Sequence, residues 1–317
     1  GTDDCDGHGA AVAAIIGAAP EPTGKGFTGI APDVSIMAIR QSSNKFRADT
    51  DLAGSGYGDV ATLAAAVRTA ADLGATVINI SSVACLPADA ALDDRALGAA
   101  LAYAVDVKNV VVVTAAGNTD GPGQCPAGNP DASSDWADVA VVASPAWYDD
   151  YVLTVASVGP GGLASPFTLA GPWVDVAAPG EDVVSLAAAG DDTVRVSGTS
   201  YAAPTVSAVA ALVRARFPEL TARQVMRRIE DTARHAGAGW SPEVGHGLVD
   251  ALAAVSGGSS PHPTPVAAPL TPTPAAPVTD TGARDAALRA AGICVAFSAA
   301  VAAGARSRRR RDPVPGD

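Results

Sequence analysis

Hydrophobic and polar residues form two kinds of segment along residues 10–255 of the chain. Short runs rich in β-branched residues are almost continuously apolar, whereas alanine-rich stretches place their apolar residues at helical spacing. The strand-like runs lie at 34–39, 76–80 and 110–113, and the helix-like stretches lie at 62–73 and 92–107. A continuous apolar run between helices is typical of a strand buried on both faces. The pattern therefore predicts an α/β fold with a mainly parallel sheet flanked by helices, and a site at the strand ends.

The pattern changes after residue 255. Residues 256–283 contain seven prolines and show no periodicity, which predicts an extended linker. Residues 286–305 carry Arg289 as their only charge, and as a helix they match the hydrocarbon thickness of a bilayer, about 30 Å. We predict a transmembrane helix there, the alternative being a surface helix. The arginine-rich tail, 306–317, is then cytoplasmic by the positive-inside rule, and residues 1–283 lie on the outer side of the cell membrane.

Composition and charge narrow the class of protein. The 317 residues are 48% hydrophobic, enough for a sizeable core, which excludes a wholly disordered chain. The net charge of −12 argues against a general nucleic-acid binder. From Arg284 onward the chain contains seven arginines and three acidic residues, so residues 1–283 carry a net charge of about −16. This uneven distribution of charge requires an explanation in the topology of the chain. A dinucleotide-binding domain is disfavoured because no Gly-x-Gly-x-x-Gly follows a predicted strand.

Three polar residues lie at positions that favour a catalytic role. His8, flanked by glycines at the start of an alanine-rich helix, has the access that a general base needs; a loop histidine is the alternative. Ser200 lies at a predicted helix N-terminus, where the helix dipole favours negative charge; a helix cap is the alternative. Asn118 follows a buried strand, where its amide is placed to donate to a developing oxyanion; a turn residue is the alternative.

Together these segments resemble the subtilisin-like serine proteases, in which histidine, asparagine and serine blocks occur in this order. The resemblance covers residues 1 to about 255 and is most specific at Gly198–Pro204. It implies a three-layer subtilisin-like fold and a serine endopeptidase without a cofactor. It further implies His8 as general base, Ser200 as nucleophile and Asn118 as oxyanion donor. The segment that lines the S1 pocket in the family corresponds here to Ser81, Ser82 and Val83, without the glycine pair often found there.

The mycosins, membrane-anchored proteases of type VII secretion systems, are a closer match. The similar segments lie at 4–9, 38–43, 92–98 and 144–150, together with the linker and the terminal helix. This similarity implies a single-pass membrane protein with an extracytoplasmic protease domain, a protein or peptide substrate, and association with the secretion membrane complex. The alternative hypothesis is a structural role, in which a protease-like domain braces that complex and cleavage is dispensable.

The third member of a serine protease triad is a carboxylate on the second nitrogen of the histidine. In the family it belongs to an Asp-(Ser/Thr)-Gly turn upstream of the histidine block, but only seven residues precede His8. We therefore expect an N-terminally truncated, nearly inactive chain, because loss of this aspartate lowers kcat by about 3 × 10⁴. Asp6, two residues from His8, is the alternative source of a carboxylate.

The cysteines indicate a disulfide. An exported domain uses its cysteines in disulfides, and Cys294 lies within the predicted transmembrane helix. Cys85 and Cys125 both follow strand ends on the predicted active-site side, and their pairing also fits the mycosin pattern. Cys5 would then have lost a partner in the missing segment. No Cys-x-x-Cys or histidine cluster is present, so no metal site is predicted.

Overall fold

A computed structural model describes nine stretches of the chain. They are residues 4, 6–20, 26–43, 58–90, 92–119, 125–129, 135–188, 192–235 and 239–257. All of them belong to one compact unit, which spans Gly1–His262.

The described part of this unit contains six α-helices and eight strands. The helices are α1 (His8–Gly17), α2 (Val60–Asp72), α3 (Arg95–Ala102), α4 (Thr199–Arg216), α5 (Ala222–Asp231) and α6 (Ala251–Val255). The strands are β1 (Val77–Ile80), β2 (Ala84–Pro87), β3 (Val111–Ala115), β4 (Val141–Ser144), β5 (Leu153–Val158), β6 (Val176–Pro179), β7 (Val183–Leu186) and β8 (Thr193–Val196). One π-helical turn, Tyr103–Val107, continues α3, and a 3-10 turn lies at Trp136–Asp138.

The central sheet has four strands in the order β1-β3-β5-β6, and every neighbouring pair is parallel. β3 is buried along its whole length, because its valines contact layers above and below the sheet. α4 packs against all four strands with small side chains, among them Ala202, Ala203 and Val206, which are fully buried. The predicted parallel sheet with flanking helices is confirmed. Two antiparallel pairs, β2-β4 and β7-β8, stand outside this sheet.

The strand predicted at 34–39 was wrong. This segment forms no strand, and Ile36, Met37 and Ile39 are 45%, 46% and 40% exposed. A β-branched run becomes a strand only where a neighbouring backbone supplies hydrogen-bond partners. None of the strands in the described part of the chain pairs with this segment.

The membrane prediction falls almost wholly outside the described residues. Within the nine stretches given above, no helix is both long and apolar enough to cross a membrane. The linker (256–283, beyond its first two residues), the transmembrane helix (286–305) and the basic tail (306–317) lie outside those stretches. They therefore remain predictions.

Three carboxyl groups gather where β5 and β6 begin. Asp175 immediately precedes β6, and its Oδ2 accepts a hydrogen bond from the backbone N–H of Thr154 at 2.6 Å. Burial, with repulsion from Glu230 and Asp149, raises the pKa of Asp175 well above its ordinary value. Burial also raises the pKa of Glu230 to about 7, with repulsion from Asp231 and Asp149 adding to it and Arg227 opposing it. Both carboxyl groups therefore retain protons that water-exposed carboxyl groups would release.

Glu230 is expected to lower the stability of the protein as the pH rises from 4.5 to about 7. Over this interval the folded state binds more protons than the unfolded state, so the free energy of unfolding falls with rising pH. Glu230→Gln, which cannot ionise, should remove roughly 1–2 kcal/mol of this dependence. Denaturant midpoints at about pH 5 and about pH 8 measure it. Glu219→Gln, at an exposed position, is the control and should keep the pH dependence of stability of the parent chain. If Glu230→Gln also kept that pH dependence, its assignment to Glu230 would be wrong.

Candidate active site

His8 begins helix α1 and is held there by a carboxylate four residues earlier. Asp4 accepts hydrogen bonds from the backbone N–H groups of Gly7, at 3.0 Å, and Ala10, at 2.6 Å. These contacts satisfy donors that have no partner within the helix, and they place negative charge at its positive end. The start of α1, and with it His8, is thereby fixed.

Ser200 is the second residue of α4, and the helix start is built around Asn118. Oδ1 of Asn118 accepts hydrogen bonds from both the backbone N–H and the hydroxyl of Thr199, each at 2.9 Å. Gly198, which precedes the helix, has φ +146°, and a Cβ there would stand 3.4 Å from Nδ2 of Asn118. Glycine at 198 therefore allows the close approach between the turn before Ser200 and the Asn118 amide.

Ser81 and Ser200 are joined by two reciprocal hydrogen bonds. The Ser200 hydroxyl donates to the Ser81 carbonyl at 3.0 Å, and the Ser81 hydroxyl donates to the Ser200 carbonyl at 2.7 Å. In a regular helix the Ser200 carbonyl would accept from the N–H of residue 204, but Pro204 has none. The Ser81 hydroxyl takes the place of that donor, which ties the end of β1 to the first turn of α4.

Two further side chains extend this connection. Nδ2 of Asn79 donates to the Ser81 hydroxyl at 2.8 Å, and Oδ1 of Asn79 accepts from the hydroxyl of Ser207 at 2.8 Å. Ser207 lies two turns further along α4, so Asn79 links β1 to that helix at a second level. Sequence reasoning missed Asn79 and Ser207, although an asparagine within an otherwise apolar strand was a visible signal.

The structure brings His8, Ser200 and Asn118 to one region. Helix α1 packs against α4, and the His8 ring lies 5.3 Å from the ring of Tyr201, the residue after Ser200, between centroids. Asn118 follows β3 and bonds Thr199, the residue before Ser200. Three segments far apart in sequence therefore meet at the N-terminus of α4.

Asp6 lies on the His8 side of this region. Its carboxylate accepts a hydrogen bond from the hydroxyl of Ser43. Burial, and to a smaller extent the charge of Asp6, raise the pKa of Tyr201. The segment before His8 therefore brings a carboxylate close to the tyrosine whose ring contacts the histidine.

The remaining predicted site residues follow Ser81. Ser82 is exposed, whereas Val83 is half-buried and packs against an apolar cluster that contains Trp173. Cys85 and Cys125 are joined by a disulfide, the pair that the sequence analysis favoured.

The disulfide lies directly beside the Asn118 loop. The backbone N–H of Cys125 donates to the Asn118 carbonyl at 2.8 Å. A Cβ on Gly117, whose φ is +109°, would stand 3.0 Å from Sγ of Cys125. The cross-link thus supports the loop that carries Asn118.

Comparison with known proteins decides the family. Residues 1–247 match the sequence profile of the subtilase family, Peptidase S8. The chain belongs to the subtilase family. It is 58% identical to Mycosin-4 of Mycobacterium tuberculosis over 100% of this chain and 73% of that protein. The prediction of a subtilisin-like protease close to the mycosins is confirmed.

Solved structures support the same family and fold. The subtilase is 46% identical to the MycP3 protease from the type VII (ESX-3) secretion system, with a TM-score of 0.70 over 80% of this chain and 73% of that one. It is 37% identical to a chain of an intact ESX-5 inner membrane complex, with a TM-score of 0.71 over 95% of this chain and 78% of that one. The subtilisin-like fold is thereby confirmed for the described region.

Proposed function

We propose that this subtilase is a serine endopeptidase that hydrolyses peptide bonds by acyl transfer. The observation that carries the proposal is the meeting of Ser200, His8 and Asn118 at the N-terminus of α4. A nucleophile, a base and an amide donor are the groups that acyl transfer requires within reach of one carbonyl.

The proposed reaction begins with a rotation of the Ser200 hydroxyl from the Ser81 carbonyl, to which it donates, toward His8. His8 takes the hydroxyl proton while Oγ attacks the scissile carbonyl carbon. The negative charge that develops on the carbonyl oxygen is stabilised by Nδ2 of Asn118 and by the positive end of α4. His8 then protonates the departing amine, and water hydrolyses the acyl-enzyme along the same route.

The described contacts explain why Asn118 suits this role. Its Oδ1 accepts from Thr199, which orients the amide group and places Nδ2 on the Gly198 side. An amide held before the reaction does not have to reorganise when charge develops, which is the basis of its stabilising effect.

We further propose that rapid hydrolysis needs a carboxylate on the second nitrogen of His8, and that without it the chain is nearly inactive. The carboxylate holds the imidazole tautomer and stabilises the imidazolium that forms during attack. Ser81, Ser82 and Val83 are proposed to line the S1 side of the cleft; the bonding of Ser81 to Ser200 supports this for Ser81.

We also propose that the subtilase works within a type VII secretion membrane complex, anchored by residues 286–305 with the protease domain outside the cytoplasm. Support comes from its similarity to the MycP3 protease and to a chain of the ESX-5 inner membrane complex. The same similarity favours a second candidate function, a structural component that stabilises this complex without cleavage.

Labelling with a fluorophosphonate probe tests the enzymatic proposal. The chain, and the chain preceded by the Asp-(Ser/Thr)-Gly segment of a subtilase, are treated with the probe, and the adduct is located by peptide mapping. We expect the adduct on Ser200, faster labelling of the extended chain, and loss of labelling in His8→Ala. Thr69→Ala, a matched control that removes an exposed hydroxyl from α2, outside the proposed active site, should label as fast as the parent. An adduct elsewhere, or labelling that does not depend on His8, would overturn the proposal.

A further inference from the structure

A second concave site lies away from the proposed active site. It is a cavity of about 310 Å³ lined by Trp136, Trp147, Tyr148, Asp149, Asp150 and Tyr151, here called the aromatic acidic pocket. Tyr151 lies just before the start of β5, whereas Asn118 lies just after the end of β3. Because β3 and β5 are parallel, Tyr151 lies at the amino ends of these strands and Asn118 lies at their carboxyl ends.

The aromatic wall of the pocket is held by a buried carboxylate. Asp94, which is 5% exposed, accepts hydrogen bonds from the hydroxyl of Ser144 at 2.7 Å, Nε1 of Trp147 at 2.9 Å and the hydroxyl of Tyr148 at 2.8 Å. Burial and the neighbouring Asp94 raise the pKa of Tyr148, so its hydroxyl remains a donor. Asp94 thus fixes the orientation of the Trp147 and Tyr148 side chains through their Nε1–H and hydroxyl groups.

Another part of the pocket wall is an exposed aromatic ring. Trp136 is 48% exposed, and its ring lies 5.5 Å from that of the fully buried Trp173, between centroids. Tryptophan is enriched at protein interfaces, because its ring offers a large apolar face together with a polar N–H group.

The charge of the pocket is negative. Asp149 and Asp150 are both exposed, and among the residues that the structure describes no cation forms a salt bridge with either carboxylate. Burial by the surrounding wall, followed by repulsion from Asp150, raises the pKa of Asp149. A cation placed between these carboxylates would relieve that repulsion.

One rim of the pocket already contacts a guanidinium group of the same chain. Cζ of Arg223 lies 5.2 Å from the centre of the Tyr151 ring, and its Nη1 donates to the Asp150 carbonyl. The geometry of a cation over an aromatic face, beside an oxygen acceptor, is therefore present at the edge of the pocket itself.

We propose that the aromatic acidic pocket binds an arginine or lysine side chain from a basic segment of a partner protein. Aromatic faces and carboxylates together favour a cation, through cation–π attraction and charge-assisted hydrogen bonds. An acidic segment would be repelled, and a purely apolar one would remove water from the two carboxylates without replacing it. Residues 1–283, with their net charge of about −16, attract such a segment at longer range.

Titration with a defined peptide tests this. The full chain is titrated with a Gly-Ser-Arg repeat peptide and with the matched Gly-Ser-Gln peptide, at about physiological salt, following tryptophan fluorescence. We expect a fluorescence change with the arginine peptide only. Asp149→Asn/Asp150→Asn should weaken binding about tenfold or more, and Trp136→Leu, which keeps an apolar side chain but removes the ring, should weaken it several-fold.

A second pair of exposed acids provides the control. Asp182→Asn/Asp192→Asn removes the same charge next to β7 and β8 and should change binding less than twofold. Equal weakening by the two double variants would show general charge attraction and would overturn the proposal, as would binding of the glutamine peptide. Replacing Arg308–Arg311 by glutamine tests the chain's own tail as the occupant; a marked gain in affinity for the peptide would assign the pocket to that tail instead.

Discussion

Ser200→Ala is expected to lower kcat for peptide hydrolysis by about 10⁶, with the fold retained. Without the hydroxyl no acyl-enzyme forms, so His8 and Asn118 are left with no covalent step to assist. The fold should be little affected, because the bond from the Ser81 hydroxyl reaches the Ser200 carbonyl, which alanine keeps. Hydrolysis of a fluorogenic peptide by the extended chain, compared with its Ser200→Ala form, measures the effect.

Thr69→Ala is the matched control for this change, since it removes an exposed hydroxyl from α2, outside the proposed active site. It should keep kcat within a few-fold of the parent. Retention of more than about one-hundredth of the activity in Ser200→Ala would contradict the role of Ser200 as nucleophile. In cells, Ser200→Ala also separates the two candidate functions: secretion that continues favours a structural component, and secretion that stops favours cleavage.

Asn118→Ala should lower kcat by about 10²–10³ with a much smaller effect on KM. Nδ2 stabilises charge that exists only in the transition state, so its loss affects the chemical step more than substrate binding. The same change also removes the oxygen that accepts from the N–H and hydroxyl of Thr199, which should lower the free energy of unfolding by about 1–3 kcal/mol. Steady-state kinetics and a denaturant midpoint, measured on the same preparation, check both expectations.

Asn118→Asp distinguishes the two roles of this side chain. Aspartate keeps an acceptor for Thr199 but has no donor and adds negative charge beside the developing oxyanion. We expect a loss of kcat at least as large as in Asn118→Ala, with a smaller loss of stability. If Asn118→Asp kept the parent kcat, Asn118 would be a positioning residue for Thr199 and the oxyanion role would be wrong.

The local hydrophobic pattern was sufficient to predict two strands of the central sheet, β1 and β3, but not β5 and β6. The prediction at 110–113 corresponds to the buried strand β3, Val111–Ala115, because continuous valines suit a layer covered on both faces. The same reasoning was wrong at 34–39, where three of the six residues are β-branched but no described strand pairs with the segment. Strand formation depends on a partner backbone, and a single segment carries no information about whether that partner is present.

Residue type and position also indicated His8, Ser200 and Asn118, because each stands at a helix start or a strand end where backbone groups favour charge or access. The partners of these residues were decided by the tertiary structure alone. Ser81 lies 119 residues from Ser200, and Asn118 lies 81 residues from its partner Thr199. Hydrogen bonds over such separations depend on the strand order and on how α4 crosses the sheet. Distances and directions of this kind arise only when the whole core is packed.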